Sequence, residues 1–260
     1  MAELQETAPK LTAKRVIYGV LWLQVGIGVF LVGGDLSRSL PDLFTRTNAP
    51  GFTSPVAPGD QTRRYDPDSA PEFPDTPTRP YPAPDTMPKR LAFEVQEVAG
   101  APALTLTGQI APGDAARFAD WLESNDLPPR VYLNSPGGSV RDALDLGETL
   151  RARDITTIVG AGDICFSACP YLFASGTTRI ADRDGAVGVH QHYYGENMVL
   201  PAFVAVEEIQ RGQAQVVDYL DTMGIDLRLM KHSLATPPEE IYVLLPEELI
   251  EYRLASEISG

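Results

Sequence analysis

The chain has 260 residues, a net charge of −14 at pH 7 and two cysteines, enough sequence for one large domain or two small ones. Residues 91–260 hold 11 Lys and Arg against 25 Asp and Glu, whereas residues 1–90 hold 10 of each; so acidic a C-terminal part argues against nucleic acid or an anionic membrane surface as its partner and is read as a solvated acidic surface. Two cysteines four positions apart, Cys165 and Cys169, do not make the disulfide framework of a small secreted domain.

Residues 16–34 carry no charge. A helix of this length spans roughly the 30 Å hydrocarbon core of a bilayer. Lys10, Lys14 and Arg15 precede it and Asp35 and Arg38 follow. Positive charge on the N-terminal flank predicts a cytoplasmic tail (1–15), a transmembrane helix (16–34) and an exported, periplasmic remainder in a single-pass inner-membrane protein. Val32-Gly33-Gly34 matches a signal-peptide cleavage site poorly, which favours an uncleaved anchor. Gly26, Gly28, Gly33 and Gly34 weaken the rival reading of a buried helix in a soluble protein.

Residues 35–90 change character. Twelve of the chain's 23 prolines lie between Pro41 and Pro88, and aliphatic residues are few. Such a composition predicts a disordered, semi-stiff tether, with a proline-rich docking motif as the sharper alternative.

From residue 91 the pattern becomes globular. Leu91–Val95 and Ala103–Thr107 alternate as strands. Residues 112–124 have helical spacing through Ala115, Phe118 and Trp121-Leu122. Arg130–Asn134 is a strand that runs into Pro136-Gly137-Gly138, and residues 139–153 form a helix. Ile155–Val159 is the next strand, β-branched throughout. A second turn follows, leading to a helix that begins near Ser167. Residues 201–223 read as one long helix in which Gly212 marks a bend; Tyr193-Tyr194-Gly195 breaks the chain before it, and shorter helices follow at 227–235 and 246–255. Strand and helix alternating in units of 25 to 30 residues predict an α/β fold with parallel pairing and ligands at the C-terminal ends of the strands.

Gly137-Gly138 and Ser167 fall at such ends, and His190 ends a short apolar run. A serine hydroxyl needs a base to become a nucleophile, and backbone N–H groups near glycine can approach a developing oxyanion closely. Taken singly, each of these residues has a plainer role: Ser167 as a helix N-cap, Gly137-Gly138 as a turn, His190 as a structural histidine. Cys165 and Cys169 are read as small buried residues packing the Ser167 helix, with a disulfide as the alternative. His190 and His192 share a face if they lie on a strand, but no third ligand completes a metal site.

Asn134-Ser135-Pro136-Gly137-Gly138, then Gly162-Asp163-Ile164-Cys165-Phe166-Ser167-Ala168-Cys169 leading to Ala174-Ser175-Gly176, then Val187-Gly188-Val189-His190-Gln191, resemble the proteolytic subunit of the Clp protease. More closely, the series is similar to the membrane-anchored, extracytoplasmic relatives of the ClpP/crotonase superfamily. The resemblance covers residues 91–260. The Gly138–Ser167 interval matches the family's, and Ser167–His190 is slightly shorter than in the soluble protease. The resemblance implies a spiral of ββα units and a serine peptidase domain. It implies Ser167 as nucleophile, His190 as general base and the N–H groups of Gly138 and Ala168 as oxyanion hole. The third triad position departs from the pattern: before Pro246-Glu247-Glu248, where the family has an aspartate, stand Glu239 and Glu240, and Glu240 aligns. Its longer arm needs a different backbone distance. The family's helix at 201–223 mediates subunit contacts, which implies a homo-oligomer.

The expected function is a membrane-anchored serine endopeptidase acting on exported or membrane-proximal polypeptides, without cofactor or metal. The alternatives are a catalytically inactive oligomeric assembly module at the membrane and an acyl-CoA enzyme of the crotonase branch. The latter is disfavoured because CoA is cytoplasmic. A serine–lysine dyad is disfavoured because Lys231 is the single lysine of the globular region and no dyad motif surrounds it. No P-loop is present, so any unfolding of substrate falls to another protein.

Overall fold

The computed structural model describes residues 12–44, 49–52, 56–67, 79–82, 84, 86–192 and 202–260. It divides into two units, residues 1–47 and residues 48–260. The first contains α1 (Ala13–Phe44). Ala13–Gly34 within it has a mean hydropathy of 2.0, and large apolar side chains such as Trp22 and Phe30 are exposed along it. At 1.5 Å per residue this stretch is long and apolar enough to cross a membrane.

The second unit is mixed α/β, built on two mixed sheets. In chain order its elements are β1 (Thr62–Arg64), β2 (Ala92–Val98), β3 (Ala101–Thr107), α2 (Asp114–Leu122), β4 (Arg130–Asn134), α3 (Val140–Arg151), β5 (Thr156–Val159), β6 (Ile164–Phe166), α4 (Cys169–Ala174), β7 (Thr178–Asp182), β8 (Ala186–Val189), α5 (Ala202–Thr222), a 3₁₀ turn (Leu227–Leu229), α6 (Met230–Ala235), β9 (Glu240–Val243), α7 (Pro246–Glu251) and β10 (Glu257–Ser259). The larger sheet has the order β10-β7-β5-β4-β3-β2. It is parallel except for the β2–β3 hairpin, whose two loop residues, Ala99 and Gly100, both have positive φ, as the right-handed twist of the strands requires. The smaller sheet runs β1-β9-β8-β6, with β6 and β8 parallel and the other pairs antiparallel.

The main core forms where Leu104, Leu106, Val131 and Leu133 meet Ala143, Leu146 and Leu150 of α3 and Leu172 and Phe173 of α4. These are the positions that strand alternation and helical spacing bring to one face. The predicted strands and helices of residues 91–192 are present within a few residues of the expected bounds. α5 runs unbroken through Gly212. The Tyr193-Tyr194-Gly195 break lies outside the described residues.

Within the stretch expected to be a disordered linker, the described residues include regular structure and packing contacts. α1 continues to Phe44, and the second unit begins at residue 48 rather than 91. β1 pairs with β9 in the register Thr62↔Tyr242, Arg63↔Ile241, Arg64↔Glu240. Tyr65, Phe52, Val56 and Met87 pack with Ile164, Phe166, Ile241 and Val243, and Tyr81 packs with Val98, Ala103, Tyr132 and Ile158. Residues 59–66, Gly-Asp-Gln-Thr-Arg-Arg-Tyr-Asp, contain no proline. Every N–H needed for a ladder is therefore present, and the flanking aromatic rings supply the apolar burial that composition averaged over the whole stretch conceals.

Candidate active site

The smaller sheet places the reactive groups. β6 and β8 pair in parallel with Cys165 opposite Val187 and Phe166 opposite Gly188. The residues that leave the two strands, Ser167 and His190, are therefore delivered side by side, and the Ser167 N–H donates to the Gly188 carbonyl at 3.1 Å. Ser167 has φ 61°, a left-handed conformation that costs a non-glycine residue about 1–2 kcal/mol. Ser167, at this sharp turn between β6 and α4, is partly buried, and its Oγ lies 2.8 Å from His190 Nε2.

The other imidazole nitrogen, Nδ1, lies 3.0 Å from the carbonyl oxygen of Pro238. A carbonyl only accepts, so Nδ1 carries the proton. Nε2 is left with a lone pair to accept the Ser167 hydroxyl hydrogen. The ring is buried. Burial pushes its pKa down to about 4; the Pro238 and Pro237 carbonyls oppose this shift and the nearby His192 ring adds to it. At neutral pH His190 is an uncharged base already hydrogen-bonded to its nucleophile.

Gly137 and Gly138 have φ 100° and 138° and need to be glycine on two counts. A Cβ on Gly137 would meet the Phe166 carbonyl and Ser167 Cβ at 2.5 Å each and the Ala168 nitrogen at 2.9 Å; one on Gly138 would meet the Ile110 carbonyl at 2.2 Å. The turn thus lies directly against the Ser167–Ala168 backbone. It is tied down on both sides: Ser135 pairs with Cys165 of β6, Ile110 N–H donates to Gly137 O, and Ser139 N–H donates to Ile110 O. Gly137 N–H donates to Ser135 Oγ at 3.1 Å. Among the described residues, no protein acceptor is found for the N–H of Gly138 or of Ala168. Gly138 follows the glycine that packs against Ser167, and Ala168 follows Ser167 itself, so these two N–H groups are the candidate donors to an external oxygen.

The structure thus brings together Ser167, His190, Gly138 and Ala168. Glu240 it places elsewhere. Glu240 opens β9 opposite Arg64, its N–H donates to Pro237 O and the Glu239 carbonyl accepts from Tyr65 N–H, while the Nδ1 position expected for a carboxylate is taken by the Pro238 carbonyl. A backbone acceptor fixes the tautomer as a carboxylate does but carries no full negative charge for the imidazolium.

Cys165 and Cys169 form a disulfide with a Cα–Cα separation of 5.0 Å, not a pair of free packing residues. Cys165 is on β6 and Cys169 opens α4, so the chain reverses between them at Ser167 rather than following one helix. Sequence reasoning also missed two supporting side chains. Asn134 Oδ1 accepts the Ile164 N–H at 3.2 Å, pinning β6 to the end of β4. Asp163 is fully buried and meets Arg79 at 2.6 Å and the Tyr81 hydroxyl at 2.5 Å. Burial raises the Asp163 pKa to about 6, against the lowering effect of Tyr81 and Arg79. An aspartate inside the apolar run toward Ser167 was the available signal, since a buried carboxylate demands partners. Among the described residues, no group of three or more His, Cys, Asp or Glu is placed to hold a metal ion.

No protein-family model matches the chain, and no curated protein matches it significantly.

Proposed function

We propose that the protein is a membrane-anchored serine endopeptidase that hydrolyses peptide bonds of exported or membrane-proximal polypeptides. The observation that carries this reading is the 2.8 Å contact between Ser167 Oγ and a buried, neutral His190, beside two backbone donors for which no acceptor is found among the described residues. His190 Nε2 takes the Ser167 proton as Oγ attacks the substrate carbonyl carbon. The Gly138 and Ala168 N–H groups hold the oxyanion. His190 then protonates the leaving amine as the C–N bond breaks, and water, deprotonated by the same ring, releases the acid from the acyl-enzyme.

The resemblance of residues 91–260 to the ClpP/crotonase superfamily supports a spiral of ββα units and a homo-oligomer. Ala13–Gly34 supports an anchor, and the basic flank of Lys10, Lys14 and Arg15 supports a cytoplasmic N-terminus with the second unit periplasmic. The Cys165–Cys169 disulfide is in keeping with that side of the membrane, because disulfides persist in oxidising compartments.

One observation favours a second reading, an inactive oligomeric module. Pro238 offers a carbonyl where a triad has a carboxylate. The two readings separate on labelling of the full-length protein in detergent with a fluorophosphonate. Labelling of the wild type that disappears in Ser167→Ala and His190→Ala supports the peptidase; no labelling of the folded wild type supports the inactive module.

A further inference from the structure

One residue outside those that resemble a peptidase contacts three segments around the site. Tyr65 follows β1, in the proline-rich stretch, and is buried. Its hydroxyl donates to the carbonyl of Pro136, the residue immediately before Gly137-Gly138. Its ring packs edge-on against the His190 ring, with centroids 4.9 Å apart. Its N–H donates to the Glu239 carbonyl at 2.9 Å, one residue past the Pro238 carbonyl that receives His190 Nδ1. The anchoring is completed by β1 on β9 and by the edge-on contact of Tyr65 with Phe166, at 6.3 Å between centroids, on the strand that presents Ser167.

We infer that Tyr65 is a positioning residue of the Ser167–His190 site, holding in one side chain and one peptide group the turn that carries the oxyanion donor, the imidazole, and the loop that sets its tautomer. The inference rests on the peptidase reading and deepens it: the segment before residue 91 is a working part of the active site. Each contact has a distinct consequence. The hydroxyl restrains rotation of the Pro136–Gly137 peptide, which glycine at the next positions leaves free to turn. The ring packs against the imidazole and contributes to its burial, and burial is the leading cause of the low His190 pKa. Among the described residues, the groups facing His190 include the Ser167 hydroxyl from the β6–α4 turn, the Tyr65 ring from the segment after β1, the Pro237 and Pro238 carbonyls from the loop before β9, and His192 from its own segment.

The test compares full-length wild type, Tyr65→Phe and Tyr65→Ala in detergent. The fluorophosphonate labelling rate is followed from pH 3.5 to 8, His190 is titrated by ring-nitrogen NMR, and thermal unfolding is recorded in parallel. Tyr65→Phe keeps the ring and loses the bond to Pro136; its labelling rate falls roughly five- to tenfold, with the pH midpoint unmoved. Tyr65→Ala loses both; its rate falls about a hundredfold and its acid midpoint moves up toward the ordinary histidine value near 6.5. Wild-type midpoints in both variants, or rates that fall only in step with the folded fraction, overturn the inference. If the wild type itself does not label, the peptidase reading fails, and the NMR titration still decides: a His190 pKa raised in Tyr65→Ala supports the positioning role, and an unmoved one overturns it.

Discussion

The Arg79 guanidinium meets the buried Asp163 carboxylate at 2.6 Å, joining the proline-rich stretch to the loop four residues before Ser167. Asp163 titrates near 6 in the folded protein, against 3.8 for an ordinary aspartate, chiefly because of burial. Between those values the folded protein keeps a proton that the unfolded chain has released. Stability therefore falls as pH rises through the window from 3.8 to about 6 and is flat above it. Asp163→Asn removes this slope. The difference between wild-type and variant unfolding free energies, followed by denaturant at pH 4 and pH 7, changes by about 2–3 kcal/mol. The histidine contributions are common to both proteins and cancel.

His190 moves in the opposite sense. Its pKa is depressed to about 4 by burial, so the base is neutral well below physiological pH. The labelling rate of the wild type rises with pH around a midpoint near 4 and is level by pH 6. His190→Ala lowers the rate on the order of 10⁴-fold while leaving the fold intact. A midpoint between 6 and 7 in the wild type contradicts the buried, neutral ring.

Glu240→Gln keeps the shape of the side chain and removes its charge. Because His190 Nδ1 is held by the Pro238 carbonyl, the variant labels at close to the wild-type rate at pH 7. A fall on the order of 10⁴-fold, the scale of losing an orienting carboxylate, would return Glu240 to the catalytic set.

The Cys165–Cys169 disulfide closes a very short loop around the left-handed Ser167. Loop-closure entropy for so few residues is about 2 kcal/mol, and the paired Cys165→Ala, Cys169→Ala variant is expected to lose that much stability in denaturant unfolding. The turn it encircles loses a restraint at the same time. Labelling of the variant therefore slows by more than its folded fraction accounts for.

What the sequence shows of this site follows the range over which each signal acts. Ser167, His190 and Gly137-Gly138 are legible because side-chain chemistry and missing Cβ atoms are written in residue identity, and the strands and helices of the main core because their periodicity is long. Pro238 is not legible: its contribution is a carbonyl, which every residue has, and only the fold decides which one meets Nδ1. The disulfide eluded a helical spacing argument because Cys165 is on a strand. Tyr65, Arg79 and Tyr81 were hidden by their neighbours' composition, since a few residues of strand and three aromatic anchors vanish when averaged over a proline-rich stretch.

β1 has a consequence for how the protein is handled. β9 has a neighbour on each side, β8 and β1. A truncation that starts at residue 91, where the resemblance to known peptidases starts, strips β1 away and bares a row of unpaired N–H and C=O groups beside the apolar faces of Phe166 and Ile241. An open edge of that kind recruits strands from other copies. Multimers formed by the shortened protein would then record the wound left by the cut, and whether the protein associates at all has to be measured on the full-length chain.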